Sequence, residues 1–143
     1  MTAKAISRAV RRMVRQRAGN RCEYCRHPAD YACAPFVCEH ILPRVFSEDD
    51  SIENLAFACA ACNGHKYAKT EAPDAQTRRS VSLFHPRRQQ WSRHFQWSDD
   101  SLFIIGRTAT GRATVDALHL NRPEVVNLRR ALKALGEHPP SKK

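Results

Sequence analysis

The stretch FVCEHILPR, residues 36–44, places an acid and an imidazole side by side in an otherwise apolar run. Its apolar residues are typical of a buried strand. Burying the side chains of Glu39 and His40 without partners would be costly, because each would lose its hydrogen bonds to water. The stretch therefore predicts a strand whose two polar side chains face groups from other parts of the chain.

Two Cys-x-x-Cys pairs flank this strand, Cys22 with Cys25 and Cys59 with Cys62. In each pair the two-residue gap lets both sulfur atoms point at one centre, and two such pairs complete the tetrahedral thiolate set of a structural zinc ion. The pairs are separated by 33 residues, 26–58, so the strand lies in an interval that the metal would close. Four free thiols or a single redox pair are the alternatives, and the matched spacing favours zinc.

The other two cysteines, Cys33 and Cys38, lack the spacing of metal ligands, and we interpret them as small buried residues. The sequence contains no run of ~20 apolar residues that would span a membrane. Its basic N-terminus lacks the apolar core and cleavage site of a secretory signal. We therefore expect a cytoplasmic protein, in which cysteines bind metal more often than they form disulfides.

Positive charge dominates the composition. Lysine and arginine number 24 against 14 acidic residues, which gives a net charge of +10. Arginine clusters such as Arg11-Arg12 and Arg87-Arg88 predict a surface for polyanions, since each guanidinium donates two parallel hydrogen bonds to a phosphate. The length of 143 residues and the apolar share of 42% fit a single domain over residues 1–143. The composition thus favours nucleic acid as the partner.

Residues 3–18 have apolar side chains at helical spacing and predict an N-terminal helix that ends at Gly19. One face of this helix carries Ile6, Val10, Met13 and Val14. Residues 73–90 are polar and contain two prolines, so they predict a connecting arm.

The C-terminal part contains the patterns of a hairpin and two helices. Residues 94–97 and 102–105 flank a Ser-Asp-Asp-Ser turn, as in a hairpin, and residues 110–120 predict a short helix. Residues 121–124 match a capping box, which would open a last helix. Its apolar face carries Val125, Leu128, Leu132 and Leu135. The tail, 138–143, is expected to be frayed.

Four motifs follow one another in the first half of the chain: RAGNRCEYC, EHILPR, ENLA and CAACNGHK. Each is weakly specific alone. Their order, with 14 positions from His40 to Asn54 and 9 from Asn54 to Asn63, makes residues 18–70 resemble the HNH nuclease family, in its small bacterial or phage type. The resemblance implies an α+β fold.

In that fold a ββα-metal HNH core, a two-stranded hairpin and a helix, would occupy residues 18–72 and be stapled by the four-cysteine zinc site. An N-terminal helix would precede it. A C-terminal extension of a hairpin and helices would follow over residues 73–137 and pack on the core.

The resemblance also implies roles for the polar residues. His40 looks like the general base that takes a proton from the attacking water, a role that suits an imidazole with a pKa near ~6.5. Glu39 and Asn63 would hold one catalytic Mg²⁺ or Mn²⁺ through hard oxygen donors. Asn54 would brace the loop and orient the histidine. Because Glu39 lies on the opposite face of the strand from His40, a twist or bulge would be needed to bring both to one site.

Other interpretations explain the same residues one at a time. His40 could be a core histidine bonded to a carbonyl, Asn54 a loop cap, and Glu39 a surface partner of Arg44. Their joint spacing with the cysteines favours the nuclease site. Glu39 and Asn63 replace the family's more frequent Asp and His, which leaves the preferred metal open. His65 is interpreted as an exposed helix histidine, with a ligand or phosphate contact as the alternative.

The resemblance implies a metal-dependent endonuclease that acts on DNA, expected to be double-stranded, and leaves a 3′ hydroxyl and a 5′ phosphate. Candidate DNA contacts are Arg44, Lys66, Arg87 and Arg88. The aromatic residues of segment 81–98 are interpreted as core rather than as base-stacking groups. The chain could act as a monomer or a homodimer. The alternatives are a zinc-stabilised DNA-binding protein with an inactive HNH centre and, less favoured, a ribonuclease toxin.

Overall fold

A computed structural model of the chain describes residues 5–141. Its short helices and antiparallel strands confirm the predicted α+β class. In chain order the elements are α1 (Arg8–Arg17), β1 (Val37–His40), β2 (Leu55–Ala58), α2 (Ala60–Lys66), β3 (Glu71–Pro73), β4 (Ser80–Ser82), α3 (Trp91–His94), β5 (Phe95–Trp97), β6 (Ile104–Gly106), α4 (Ala109–Ala117) and α5 (Pro123–Ala134). Single 3₁₀ turns occur at Ala29–Tyr31 and Ile52–Asn54.

The central unit is a ββα arrangement. Strands β1 and β2 pair antiparallel with an unbroken register, in which Val37 lies opposite Ala58 and His40 opposite Leu55. Helix α2 starts at once after β2, and Cys59 caps it by accepting a hydrogen bond at Sγ from the backbone N–H of Cys62, at 3.4 Å. Because the cap is itself one of the paired cysteines, the turn from strand to helix is built into the metal-binding motif.

Helix α1 covers one face of this hairpin. Val14 is fully buried against Leu55 and Phe57, and the Arg17 guanidinium donates to the carbonyl oxygens of Ile52 and Leu55. The helix therefore fixes the hairpin through the packing of Val14 and two hydrogen bonds from Arg17.

The prediction that Met13 faces the core is wrong, because its side chain is 52% exposed. A two-stranded hairpin is narrow and covers only part of a helix face. The helix also starts at Arg8, later than predicted, and the first two residues of the predicted span, 3–4, lie outside the described residues.

Residues 73–90 form part of a hairpin, so the predicted connecting arm is wrong. Strand β3 pairs with β4, and the turn between them is organised by the fully buried Asp74. Its carboxylate accepts from the backbone N–H groups of Gln76 and Thr77 and binds Arg112 of α4 with two parallel hydrogen bonds of 2.9 and 3.1 Å. The strands Glu71–Pro73 and Ser80–Ser82 each contain a single buried or partly buried residue, and their turn depends on the distant Arg112, which explains the missed hairpin.

The predicted hairpin of β5 and β6 and the short helix α4 are confirmed. The capping box is wrong, since Arg122 occupies the N-cap position of α5. Asn121 instead pairs with the backbone of Ile104, from which its side chain accepts at 2.7 Å and to which it donates at 2.9 Å. Asn121 thus joins the start of α5 to β6.

The end of α5 also differs from expectation. Leu135 is 68% exposed, because it is the C-cap residue beyond the last packed turn. His138 is not frayed: it is buried against Trp97 and donates to the carbonyl oxygen of Ser101 at 2.6 Å. Residues 142–143 lie outside the described part of the chain.

One hydrophobic cluster contains residues of the ββα unit and of the extension together. Its largest members are Tyr24, Phe84, Phe95, Ile104, Leu118 and Leu120. Phe84 and Phe95 pack edge to face, and Trp91 and Trp97 lie partly buried beside them. The interpretation of these aromatic residues as core is confirmed. None of the helices between residues 5 and 141 has the length and apolar character needed to cross a bilayer.

Helix α4 lies unusually close to the backbone of its neighbours. A Cβ at Gly111 would clash with the carbonyl oxygen of His94 and would approach the Cα of Gly106 to 3.2 Å. Only glycine permits this approach. Gly64 in α2, by contrast, has open space where its Cβ would be.

We expect Gly111→Ala to lower the free energy of unfolding by about 1–3 kcal/mol, because the backbone of α3 or α4 must shift. The control Gly64→Ala should leave it unchanged or raise it by about 0.5–1 kcal/mol through helix propensity. Urea unfolding followed by circular dichroism measures both. Equal effects of the two substitutions would contradict the close contact.

Candidate functional site

The four paired cysteines form a buried cluster. The Sγ atoms of Cys22, Cys25, Cys59 and Cys62 all lie within 4.8 Å of one another, and the Sγ atoms of Cys25 and Cys59 are 3.7 Å apart. A tetrahedral zinc–thiolate site with Zn–S bonds of about 2.3 Å has sulfur–sulfur distances of about 3.8 Å. The spacing of the sulfur atoms therefore fits a closed four-coordinate metal site.

Two local turns present these sulfur atoms. The first pair lies on a tight turn in which Cys22 donates its N–H to the carbonyl oxygen of His27 and Arg26 adopts a positive φ of 65°. The second pair lies on the first turn of α2. The cluster thus joins the segment after α1 to the helix that follows β2, which closes residues 26–58 as the sequence predicts.

Arg122 of the C-terminal extension is buried against the cluster. Its guanidinium donates to the Sγ atoms of Cys59, Cys25 and Cys62 at 3.4, 3.6 and 3.7 Å. Burial lowers the pKa of Arg122, but the neighbouring sulfur groups outweigh it and raise the pKa above its ordinary value. Arg129 lies beside it and donates to the carbonyl oxygen of Cys25. Two positively charged side chains thus lie beside the four cysteines.

The sequence around Arg122 indicated only the start of a helix, and nothing in it pointed to the cysteines, of which the last lies 60 positions earlier. The interpretation of the remaining cysteines as buried is wrong. Cys33 is exposed and Cys38 is partly exposed. Cys33 lies in the loop before β1, and Cys38 lies on the hairpin face that α1 covers only in part.

His40 lies at the end of β1, and its Nε2 atom is 2.7 Å from Oδ1 of Asp50. Arg44 donates to the same oxygen through Nε at 3.2 Å, and its terminal nitrogen lies 3.1 Å away. The hydrogen bonds from His40 and Arg44 hold the pKa of the Asp50 carboxyl below its ordinary value. Asp50 is therefore an ionised partner of the candidate base. Sequence reasoning missed it, because an acid in a loop rich in acids carries no signal of its own.

Asn54 joins the two ends of the loop that carries Asp50. Its Oδ1 accepts from the N–H of Leu42 at 2.8 Å, and its Nδ2 donates to the carbonyl oxygens of Leu42 and Asp49 at 3.1 and 2.8 Å. Through these three bonds Asn54 holds residues 42–49 in a fixed position relative to β2. This placement is compatible with the bracing role that the family resemblance implies.

Glu39 faces the other way. Its Oε2 accepts from the Tyr24 hydroxyl at 2.7 Å, and its Oε1 lies 2.5 Å from Nζ of Lys66. Burial raises the pKa of Glu39, and Lys66 and Tyr24 act in the opposite direction. Since the β1–β2 register is unbroken, no bulge turns Glu39 toward His40. The structure does not bring these two neighbours into one site.

Asn63 lies in the first half of α2 and is partly exposed. Within residues 5–141 its side chain makes no hydrogen bond, so its amide oxygen is available to a ligand. In Glu39, by contrast, Oε2 already accepts a hydrogen bond from Tyr24, while Oε1 is in ion-pair contact with Lys66 but makes no hydrogen bond of good geometry. The roles of Glu39 and Asn63 as metal ligands stay a prediction.

The four candidate DNA contacts differ in exposure. Lys66 is 1% exposed and also donates to the carbonyl oxygen of Ile41 at 2.9 Å, so it does not reach the surface. Arg87 is paired with Glu23, and burial lowers the pKa of Arg87 to about 10. Arg44 contacts Asp50, as described above. Arg88 alone of the four is exposed.

His65, interpreted as an exposed helix histidine, is partly buried. Its ring centroid lies 4.3 Å from that of His119, which follows α4. The contact links α2 to the residues that follow α4.

Comparison with protein families agrees with this geometry. Residues 22–69 match the family model described as HNH endonuclease. The matched span contains the four clustered cysteines, the ββα unit and His40. The chain matches no curated protein and no solved structure. The match to the HNH endonuclease model confirms the predicted resemblance over residues 22–69, about a third of the chain.

Proposed function

We propose that the chain is a metal-dependent endonuclease that hydrolyses phosphodiester bonds in double-stranded DNA. Its products would be a 3′ hydroxyl and a 5′ phosphate, as the family resemblance implies. The observation that carries the proposal is the position of the His40 imidazole, which lies at the end of β1 and is held there by an ionised Asp50. An imidazole so placed can accept a proton from water near neutral pH.

The hydrogen bond to Asp50 selects the tautomer of His40. An ionised carboxylate can only accept, so Nε2 of His40 carries the proton and Nδ1 keeps its lone pair. Nδ1 is then the atom that takes the proton from water. The imidazolium formed in this step is stabilised by the negative charge of Asp50, the arrangement that carboxylate–histidine pairs use in hydrolases. Asp50 acts through His40 and is a positioning residue.

Arg44 and Asn54 support this pair. Arg44 limits the negative charge of Asp50 and fixes its carboxylate by a second donor. Asn54 holds the loop, so that the distance from His40 to Asp50 is set by the backbone. A general base at a fixed distance lowers the entropic cost of reaching the transition state.

A divalent ion such as Mg²⁺ or Mn²⁺ would neutralise charge on the phosphate and on the leaving oxygen. The proposed ligand pair does not fit this role as it stands, because Tyr24 and Lys66 face both oxygens of Glu39. We assign no step to Glu39. Its contacts support a structural part in which it joins β1 to α2 through Lys66.

The four clustered thiols support a proposal of zinc as the structural metal. Sulfur ligands in a closed tetrahedral set select zinc and leave no position for substrate. The ion would stabilise the folded chain, since the unfolded chain does not hold the four thiolates together.

A second function is favoured by the buried pair of Glu39 and Lys66. If that pair persists when DNA binds, the HNH centre lacks one predicted ligand. The protein would then be a zinc-stabilised DNA-binding protein with an inactive centre.

Cleavage of supercoiled plasmid tests the nuclease. We expect the wild-type protein to nick or linearise plasmid with Mg²⁺ or Mn²⁺ and not with EDTA. His40→Ala should lower the rate by about 10²–10⁴-fold, the usual contribution of a general base. Wild-type protein that binds the plasmid but cuts it in neither metal would establish the second function.

Asp50→Asn separates positioning from binding. An amide can donate to Nε2 and so favours the wrong tautomer, and we expect kcat to fall about tenfold or more with a smaller change in KM. The matched control is Asp99→Asn, which removes the same charge from an exposed turn. Equal activity of the two variants would contradict the role of Asp50.

The buried pair can be tested by unfolding. Glu39→Gln or Lys66→Met alone should lower the free energy of unfolding by about 3–5 kcal/mol, because each leaves a buried charge without its partner. The double variant should lose less than the sum of the two. A small loss for Glu39→Gln together with a large drop in cleavage would instead make Glu39 a ligand of the catalytic metal.

Native mass spectrometry tests the structural metal. We expect a single bound zinc ion per chain, lost in Cys59→Ser together with cooperative thermal unfolding, since the metal contributes folding free energy. Cys33→Ser is the control, because Cys33 lies outside the cluster. This variant should keep both the bound metal and the cooperative thermal unfolding transition. Full zinc content in Cys59→Ser would exclude the four-thiolate site.

A further inference from the structure

We propose that a groove beside α1 binds the phosphate backbone of duplex DNA and directs it to His40. The groove has a volume of about 540 Å³ and runs between α1 and residues 29–36. Cys38 and Phe57 of the ββα hairpin contribute to its floor. This inference rests on the proposed function for its substrate, but it concerns binding alone.

One wall of the groove is a row of arginines. Arg8, Arg11, Arg12 and Arg15 all line it, and all four are exposed. Their positions i, i+3, i+4 and i+7 place them on one face of α1. Guanidinium groups in such a row can each offer two parallel hydrogen bonds to a phosphate.

These arginines lack the charged or buried partners that other arginines of the protein have. Arg112, Arg122 and Arg129 are bound to a carboxylate, to sulfur atoms and to backbone carbonyls. Within residues 5–141 none of the four groove arginines forms an ion pair with a carboxylate, and Arg11 donates through Nε to the exposed carbonyl oxygen of Ile6 at 3.3 Å. Like charges three and four residues apart destabilise a helix. A bound polyanion removes this repulsion.

The opposite wall is formed mainly by small residues. Ala32, Cys33, Ala34 and Pro35 leave room for a sugar–phosphate chain to approach the arginines. Asp30 is the acidic residue of the lining, and its carboxylate already accepts a hydrogen bond from Asn20. The net charge of the groove walls is therefore strongly positive.

The strand that contributes Cys38 to the groove also carries the candidate base. Cys38 and His40 are two residues apart on β1, so their side chains lie on the same face of the strand, about 7 Å apart along it. The arginine row from Arg8 to Arg15 spans about 10 Å along α1. That length matches about three phosphates of one DNA strand, spaced at about 3.4 Å along the duplex axis. His40 itself does not line the groove, so a backbone held there would reach it by continuing along β1 from Cys38.

The chemistry of the lining favours duplex DNA over a single strand. Proteins that hold single strands stack the bases on exposed aromatic rings. The aromatic residues here are Phe36, which packs against Phe57, and Phe57 itself, which is buried. Contacts to phosphates without contacts to bases fix the position of DNA and do not read its sequence.

Salt-dependent binding tests the groove. The assay measures the fluorescence anisotropy of a labelled 20-base-pair duplex. It uses protein with His40→Ala, so that cleavage of the duplex does not interfere with the measurement of binding. The test variant adds Arg8→Gln, Arg11→Gln, Arg12→Gln and Arg15→Gln. The control variant instead adds Arg78→Gln, Arg79→Gln, Arg93→Gln and Arg130→Gln, four exposed arginines outside the groove lining. Both have the same net charge, and circular dichroism checks that both are folded.

The groove variant should bind duplex at least about tenfold more weakly. Its slope of log K against log salt should become less negative by about 2–4, since each lost phosphate contact reduces the magnitude of the slope by about 0.9. The control should keep most of the slope. Equal changes in the two variants, or a loss for single-stranded but not duplex DNA, would overturn the proposal.

Alkylation of Cys33 gives a second readout. This thiol is exposed and lines the groove, whereas the clustered thiols are buried. A saturating concentration of duplex should slow the reaction of Cys33 with a maleimide by about tenfold compared with the rate without DNA. The Cys33→Ser variant measures the background reaction of the other thiols, which is subtracted from both rates. An unchanged rate would overturn the proposal. If the wild-type protein fails to cleave but both readouts hold, the nuclease proposal fails and the groove remains.

Discussion

The rest of the structure depends on the close contact of four cysteine side chains. Cys22 and Cys25 lie on a turn after α1, and Cys59 and Cys62 begin α2, so their contact closes the interval that contains β1 and β2. A hairpin of two four-residue strands buries too little surface to be stable alone. It persists here because its ends are fixed by the cluster and one of its faces is covered by α1. The position of His40 follows from this closure, since it lies within the closed interval.

The alternation of side chains along β1 then divides two tasks between adjacent residues. Glu39 points toward α2 and binds Lys66, while His40 points toward the loop and Asp50. Glu39 thus joins β1 to α2 in the interior, and His40 joins β1 to the loop that follows it. The pairing answers the question raised by two polar residues in an apolar run: each has a partner, and the partners lie on opposite faces of the strand.

The family, the α+β class and the closure by cysteines could be predicted because each depends on residues close together in sequence or at diagnostic spacing. The hairpin of β5 and β6 was predictable from its turn. The hairpin of β3 and β4 was not, because it is held by Asp74 and by the distant Arg112. Asp50 and Arg122 were missed for the same physical reason. Their importance arises from contacts made across a loop or between distant segments, which local patterns do not contain.

The position of Arg122 has a consequence for the order in which the molecule is completed. The last thiol is synthesised 60 residues before the guanidinium that contacts it. At the usual rate of translation, about 5–20 residues per second, this gap corresponds to about 3–12 s. During that time the nascent chain has all four sulfur groups but not the cation that lies against them in the folded state. The cysteine cluster is therefore begun once Cys62 has been synthesised, and it reaches its final surroundings only after the segment that contains Arg122 has followed.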